Sequence, residues 1–216
     1  MRAWQEMFNE ELSHHQGQNP YTAEDYFAYV DGKPRYDGVR DFLASRGISL
    51  PEGDPCDGPD AQTICGLGNR KNDLFNTVLA RDGIQPYPGS RRWVDMLQAH
   101  GVAMAVISSS RNAAAVLEAA GLAEDFPVLV DGNRAKAEKL PGKPAPDTYL
   151  KGAELLGVRA EQCVVVEDAV SGVRAGAAGG FGMVLGVNRG VGADRLRAAG
   201  ADRVVDDLDE MVEEMA

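Results

Sequence analysis

The chain has 216 residues, 44% of them hydrophobic and 25% charged, which is an ordinary globular composition with room for one substantial core or a core plus a small second domain. Its formal net charge of -11 argues against a nucleic-acid or anionic-membrane surface, and its three cysteines, Cys56, Cys65 and Cys163, lack the spacing of a disulfide or metal framework. No apolar run is long enough to span a membrane and no stretch reads as a signal peptide, so the expectation is a cytoplasmic protein in a reducing compartment.

The first elements are helical. Trp4, Met7, Phe8 and Leu12 fall at helical spacing between Met1 and about His15. Thr22 with Asp25 three residues on is close to a capping box. Asp31-Gly32-Lys33-Pro34-Arg35 reads as a turn, after which Val39, Phe42 and Leu43 predict a helix stopped at Arg46-Gly47. Pro51 to Pro59 is a loop dense in Pro, Gly and Asp, and a helical pattern then runs from about Asp60 to Arg81, with weak points at Gly66 and Gly68. Residues 1–84 are therefore expected to form a small all-helical domain.

The pattern changes at Gln85-Pro86-Tyr87-Pro88-Gly89, and residues 85–216 alternate strand with helix. Strands are predicted at Val102–Ile107, Val128–Val130, Cys163–Val166 (buried, and ending on Glu167 and Asp168), Met183–Val187 and Arg203–Val205. Helices are predicted through Ala113–Ala120, Pro146–Leu156, from Ser171 to about Ala178, near Ala193–Ala199 and at Met211–Met215. Repeated strand–helix alternation implies a doubly wound parallel α/β sheet, and in such sheets ligands bind at the carboxyl ends of the strands.

Three polar groups fall at those ends. Ser108, followed by Ser109, Ser110, Arg111 and Asn112, ends the first strand; these serines are either turn and cap residues or a phosphate cradle. Lys143 stands in the stiff Gly142-Lys143-Pro144-Ala145-Pro146-Asp147, where it is either solvated or a fixed positive charge for a phosphate. Glu167 and Asp168 end the third strand. Adjacent carboxylates repel, and both stay ionised only with a cation or donors between them; Mg²⁺ suits such a site, whereas Asp168 alone also suits a helix cap.

Taken in order, Tyr87-Pro88-Gly89, Val106-Ile107-Ser108-Ser109-Ser110-Arg111-Asn112, Gly142-Lys143-Pro144-Ala145-Pro146-Asp147 and Val164-Val165-Val166-Glu167-Asp168 with Ser171-Gly172 resemble the haloacid-dehalogenase superfamily of phosphotransferases, in its β-phosphoglucomutase-like branch. The resemblance extends to Arg2-Ala3-Trp4 and Gly32 to Arg35, and implies a helical cap on an α/β core. It implies Ser108 and Lys143 at the transferring phosphoryl group, and Mg²⁺ on Asp168 with Glu167 as a further ligand or supporting acid. It also implies Ser109, Ser110, Arg111 and Asn112 on a second phosphate, and Trp4, Gly32 and Arg35 on the sugar. The partner so implied is a small sugar phosphate, with no nucleic acid and no membrane, and the protein a monomer or weak homodimer.

Members of that superfamily open on an apolar strand ending in Asp-x-Asp-Gly, whose first Asp is the phosphorylated nucleophile. Met1-Arg2-Ala3-Trp4 matches family sequence lying beyond that strand, so the nucleophile is expected upstream of residue 1 and these residues alone are expected to be inactive. The strands carrying Ser108 and Glu167 would then face a gap of roughly 9–10 Å or close up. Asp207-Leu208-Asp209 resembles the motif superficially but precedes the last helix, where acids favour the helix N-terminus. Mutase and hydrolase remain open, and a non-catalytic sugar-phosphate or Mg²⁺-binding relative is the alternative.

Overall fold

A computed structural model describes residues 1–215. The chain divides into two compact units, Met1–Gly83 and Ile84–Ala216. No helix among the described residues is long and apolar enough to cross a membrane.

The first unit is built from α1 (Arg2–Ser13), a single turn α2 (Ala23–Asp25) running into a π-helical turn at Tyr26–Val30, α3 (Arg35–Ser45) and α4 (Ile64–Asp82). The predicted capping box is present: Thr22 accepts from the Asp25 N–H at 3.2 Å, and the Asp25 carboxylate accepts from the Thr22 N–H at 2.9 Å. The apolar stripe of α1 meets α3 and α4 in one core containing Trp4, Met7, Phe8, Leu12, Val39, Phe42, Leu43 and Leu67. Phe8 lies at its centre, 4.2 Å from the Phe42 ring and 5.0 Å from Tyr21. Full burial of one such ring is worth about 1.5–3 kcal/mol, so the aromatic cluster is a main source of this unit's stability. The last helix starts at Ile64 rather than Asp60. Thr63 caps it, accepting from the Gly66 N–H at 2.9 Å, while residues 51–63 stay in an ordered loop.

The second unit follows the predicted alternation: α5 (Pro88–Ala99), β1 (Ala105–Ile107), α6 (Ala113–Ala119), β2 (Val128–Val130), α7 (Gly132–Ala137), α8 (Asp147–Leu156), β3 (Val164–Glu167), α9 (Val170–Ala178), β4 (Met183–Val187), α10 (Ala193–Ala199), β5 (Arg203–Val205) and α11 (Asp209–Met215). The sequence reading passed over α5, which starts on Pro88, and α7, which Asp131 caps through the Asn133 and Arg134 N–H groups. β1 is shorter than predicted. Its partner β2 supplies only three residues, and Val102 instead closes α5 by donating to Leu97 O at 3.0 Å.

All pairings are parallel, and the strands fall into two pieces, β1-β2 and β3-β4-β5. Among the described residues no ladder joins β1 to β3, which carry Ser108 and Glu167 at their ends; Val164, which opens β3, is 53% exposed. The interior of the three-stranded piece is Leu185, Val187, Val205 and Leu208, with Trp93, Val166 and Met211 against it.

Candidate active site

In the second unit, β1 ends at Ile107 and the chain turns at once. The Ser108 N–H donates to Val130 O at 2.9 Å, which keeps Ser108 in register with the end of β2. The hydroxyls of Ser108 and Ser110 accept from the N–H groups of Ser110 and Asn112, both at 3.1 Å, so in this structure the serines shape the turn. The far side of the loop is pinned by β2 and α7: the Gly132 N–H donates to Ser110 O, and the Asn133 amide donates to Arg111 O at 3.0 Å. Ser109, Arg111 and Asn112 are half-buried in this loop.

Lys143 connects the two pieces of sheet. Its Nζ donates to Ile107 O at the end of β1 at 3.4 Å and forms an ion pair with Glu167 at the end of β3. The side chains are only 6% and 9% exposed, so the pair is largely dry and each charge depends on the other. Tyr149 on α8 completes the cluster. Its hydroxyl donates to Glu167 Oε1 at 2.5 Å, and its ring centroid lies 4.9 Å from Lys143 Nζ. Oε2 of Glu167 accepts from the N–H groups of Asp168 and Ala169, both at 3.1 Å.

This carboxylate therefore has four donors, its ordinary full complement. Burial pushes its pKa up, but the Lys143 charge, the Lys143 and Tyr149 hydrogen bonds and the Ala169 N–H outweigh burial, so the group is held below the usual glutamate range. Gly172 leaves the space it occupies: a Cβ there would clash with the Glu167 carboxyl group, 2.1–2.5 Å from its atoms. Asp168 contrasts with it. The residue is exposed, yet the protein packed around its carboxyl group, and then the negative charge of Glu167, raise its pKa above the usual aspartate range. That is the electrostatic setting in which a divalent cation is welcome. Asp168 fits a Mg²⁺ ligand, whereas Glu167 would reach a cation only by giving up one of its donors. Among the described residues, no cluster of three His, Cys, Asp or Glu side chains suited to a metal ion is formed.

Asp207-Leu208-Asp209 is a helix entrance. Asp207 accepts from Arg189 and from the Asp209 N–H, Asp209 pairs with Arg92, and Glu210 accepts from the N–H groups of Asp206 and Asp207.

In the first unit, Gly32 forms the turn before α3 with φ of 70°. Arg35, at the start of α3, donates to Asn69 Oδ1 at 3.2 Å and to Gly68 O at 3.4 Å. Trp4 is buried on α1, and Lys71 on α4 lies over it, with Nζ 4.8 Å from the Trp4 ring centroid and 4.7 Å from that of Phe75. Burial first, and then the charge of Arg35, bring Lys71 down to about 8. Two cations near one another over aromatic faces, with no acid paired to Lys71 among the described residues, form a setting that an anion would relieve.

Sequence reasoning missed Lys71, Tyr149 and Asn69. Lys71 and Asn69 look like ordinary polar positions of an amphipathic helix, and Tyr149 like a core aromatic. The only available signal was the proximity of Tyr149 to Lys143 along the chain.

The sequence profile of the haloacid dehalogenase-like hydrolases matches residues 1–180. A β-phosphoglucomutase of Mycobacterium bovis is 46% identical over 220 residues, covering 98% of this chain and 84% of the relative. Hexitol phosphatase A of Escherichia coli is 33% identical over 190 residues, covering 87% of this chain and 77% of the relative. Among solved structures, a β-phosphoglucomutase of Clostridium difficile superposes with a TM-score of 0.77 at 21% identity, over 99% of this chain and 87% of that one, a likeness of fold.

Proposed function

Since the chain belongs to the haloacid dehalogenase-like hydrolase family, we propose that it serves Mg²⁺-dependent phosphoryl transfer on a sugar phosphate, as a β-phosphoglucomutase-like phosphomutase or a phosphatase. The observation that carries this reading is the buried Lys143–Glu167 pair at the strand ends, with Asp168 beside it. Phosphoryl transfer needs positioning and neutralisation of spread negative charge more than covalent work by the protein. A lysine held by a carboxylate and a strand carbonyl, with a tyrosine ring against it, is a preorganised positive charge of that kind.

In this reading Lys143 and Ser108 hold the transferring phosphoryl group, and Ser109, Ser110, Arg111 and Asn112 take a second phosphate. Trp4, Gly32 and Arg35, joined by Lys71, contact the sugar phosphate in the first unit. Asp168 would hold Mg²⁺, with Glu167 as its neighbour and as the anchor of Lys143. Bound Mg²⁺ would supply charge neutralisation at the phosphoryl oxygens.

In this reading Asp168 is given to Mg²⁺ and the other acids at the strand ends are committed elsewhere, so none of them is assigned as the attacking carboxylate. Glu167 is fully hydrogen-bonded, Asp131 caps α7, and Asp207 and Asp209 are committed to arginines and to the entrance of α11. In this reading the 216 residues bind hexose phosphate and Mg²⁺ without turning the ester over, which is also how a non-catalytic relative would behave.

Calorimetric titration of the chain with glucose 1-phosphate and glucose 6-phosphate, with and without Mg²⁺, tests the reading. Saturable heat that strengthens with Mg²⁺ and disappears in Lys143→Ala is expected. An absence of heat and of thermal stabilisation with every hexose phosphate sinks it. Release of phosphate by the chain would place the attacking carboxylate among these residues.

A further inference from the structure

The loop at residues 51–63, dense in Pro, Gly and Asp, looks like an irregular connection, yet it is internally braced. Asp57 accepts from the Asp54 N–H at 3.0 Å and from the Thr63 hydroxyl at 2.7 Å, and Asp54 accepts from the Cys56 N–H at 2.8 Å. Its ends are tied to the first turn of α4, where the Ile64 and Cys65 N–H groups donate to Pro51 O and Glu52 O at 2.9 and 3.0 Å. Arg70 Nε donates to Pro59 O at 2.8 Å. A loop with this many bonds holds a defined shape, which matters for whatever rests on it.

Asn69 rests on it. Its amide nitrogen donates to Pro55 O at 3.1 Å and to Asp57 O at 2.8 Å, so both amide protons are spent on the loop. That fixes where Oδ1 points, and Oδ1 accepts from Arg35 Nη1 at 3.2 Å and from the Tyr36 hydroxyl at 2.9 Å. The preceding residue leaves room for the contact: a Cβ on Gly68 would lie 2.7 and 2.8 Å from Tyr36 ring carbons and 3.2 Å from Arg35 Cδ. The Arg35 guanidinium sits 5.6 Å from the Tyr36 ring centroid and also donates to Gly68 O. One side chain thus joins two loop carbonyls to the guanidinium and hydroxyl of adjacent residues on another helix.

We infer that Asn69 is a positioning residue: it transmits the shape of the 51–63 loop to Arg35, and so makes that loop a determinant of which sugar phosphate the protein accepts. The discrimination part of this inference rests on the sugar-phosphate reading above; the positioning part stands without it. An arginine with a long, rotatable stem selects by geometry only if something else holds it still. Here Asn69 is one of the groups that hold it, beside Gly68 O, and the orientation of Asn69 is itself set by main-chain carbonyls of the loop.

The test uses the full chain with Asn69→Ala and Asn69→Asp. Three quantities are read: the rate at which phenylglyoxal modifies Arg35, followed by peptide mass mapping; hydrogen exchange of residues 51–63; and the affinity for glucose 6-phosphate. Asn69→Ala removes both halves of the link, so Arg35 modification and loop exchange should each rise about tenfold and affinity should fall about tenfold, as for loss of a hydrogen bond to a charged group. Asn69→Asp keeps the acceptor for Arg35 and Tyr36 but sets a carboxylate against the Pro55 and Asp57 carbonyls. Loop exchange should rise there, and Arg35, paired with a carboxylate that the loop no longer aims, should stay shielded from phenylglyoxal while affinity still falls. Unchanged Arg35 reactivity in Asn69→Ala, or an unchanged loop in both variants, overturns the inference. If the unmodified chain binds no hexose phosphate, the sugar-phosphate reading falls and substrate discrimination falls with it, while the Arg35 and loop measurements still decide the positioning role.

Discussion

Lys71→Met removes a charge that the first unit holds at a loss. With burial and the nearby Arg35 acting on it, the Lys71 ammonium drops from its ordinary 10.5 to about 8. At about 1.4 kcal/mol per pH unit, this corresponds to about 3 kcal/mol against the charged, folded form. The rings of Trp4 and Phe75, 4.8 and 4.7 Å from Nζ, offset part of it, by about 1–2 kcal/mol together.

Near pH 7 the lysine is charged whether the chain is folded or unfolded, so the whole cost is present. Between about 8 and 10.5 the folded chain has released this proton and the unfolded chain still carries it. The unfolded state then binds more protons, and the stability of the wild-type chain rises with pH. Lys71→Met should therefore be more stable than wild type at pH 7 by about 1–2 kcal/mol, with the advantage narrowing between pH 8 and 9.5. Urea unfolding followed by fluorescence in a Trp93→Phe background, where Trp4 is the only reporter, measures this directly. The variant should also lose affinity for hexose phosphates, since it removes the cation while improving the packing. A variant less stable than wild type at pH 7, or a stability difference that does not change from pH 7 to 9.5, refutes the reasoning.

Lys143→Met leaves the Glu167 carboxylate buried without its charge partner and should cost about 3–5 kcal/mol in denaturant unfolding; pairing it with Glu167→Gln should recover most of that loss. Full stability in the single variant would mean that the pair is hydrated rather than dry. Tyr149→Phe removes one hydrogen bond to the same carboxylate and keeps the ring against Phe181, so a loss of about 1.5–3 kcal/mol and weaker hexose phosphate binding are expected. Unfolding curves and calorimetry on the same sample check both effects, and binding equal to wild type would remove Tyr149 from the support of Lys143.

Much of the architecture is written in local patterns. The helical stripe of Trp4, Met7, Phe8 and Leu12, the Thr22–Asp25 box, the apolar runs at β3 and β4 and the ordered polar groups at Ser108, Lys143 and Glu167-Asp168 depend on neighbours a few residues away, and those neighbours are visible in sequence. Spacing says which face of an element is buried. It does not say what that face meets.

Which partner each group takes is decided across long separations, and only the tertiary structure assigns it. Lys143 and Glu167 are 24 residues apart, Arg35 and Asn69 are 34 apart, and Trp4 meets a lysine from a different helix. Glu167 and Asp168 illustrate the difference. Side by side in sequence they look like a matched pair of ligands, but packing turns one inward to four donors with a lowered pKa and leaves the other exposed with a raised one. The length of β1 follows the same logic, since a strand extends only as far as its partner pairs with it. Sequence alone placed this chain in its fold class and set out its polar groups in order. Burial, charge and hydrogen-bond donors brought together from distant segments decided what each of those groups does.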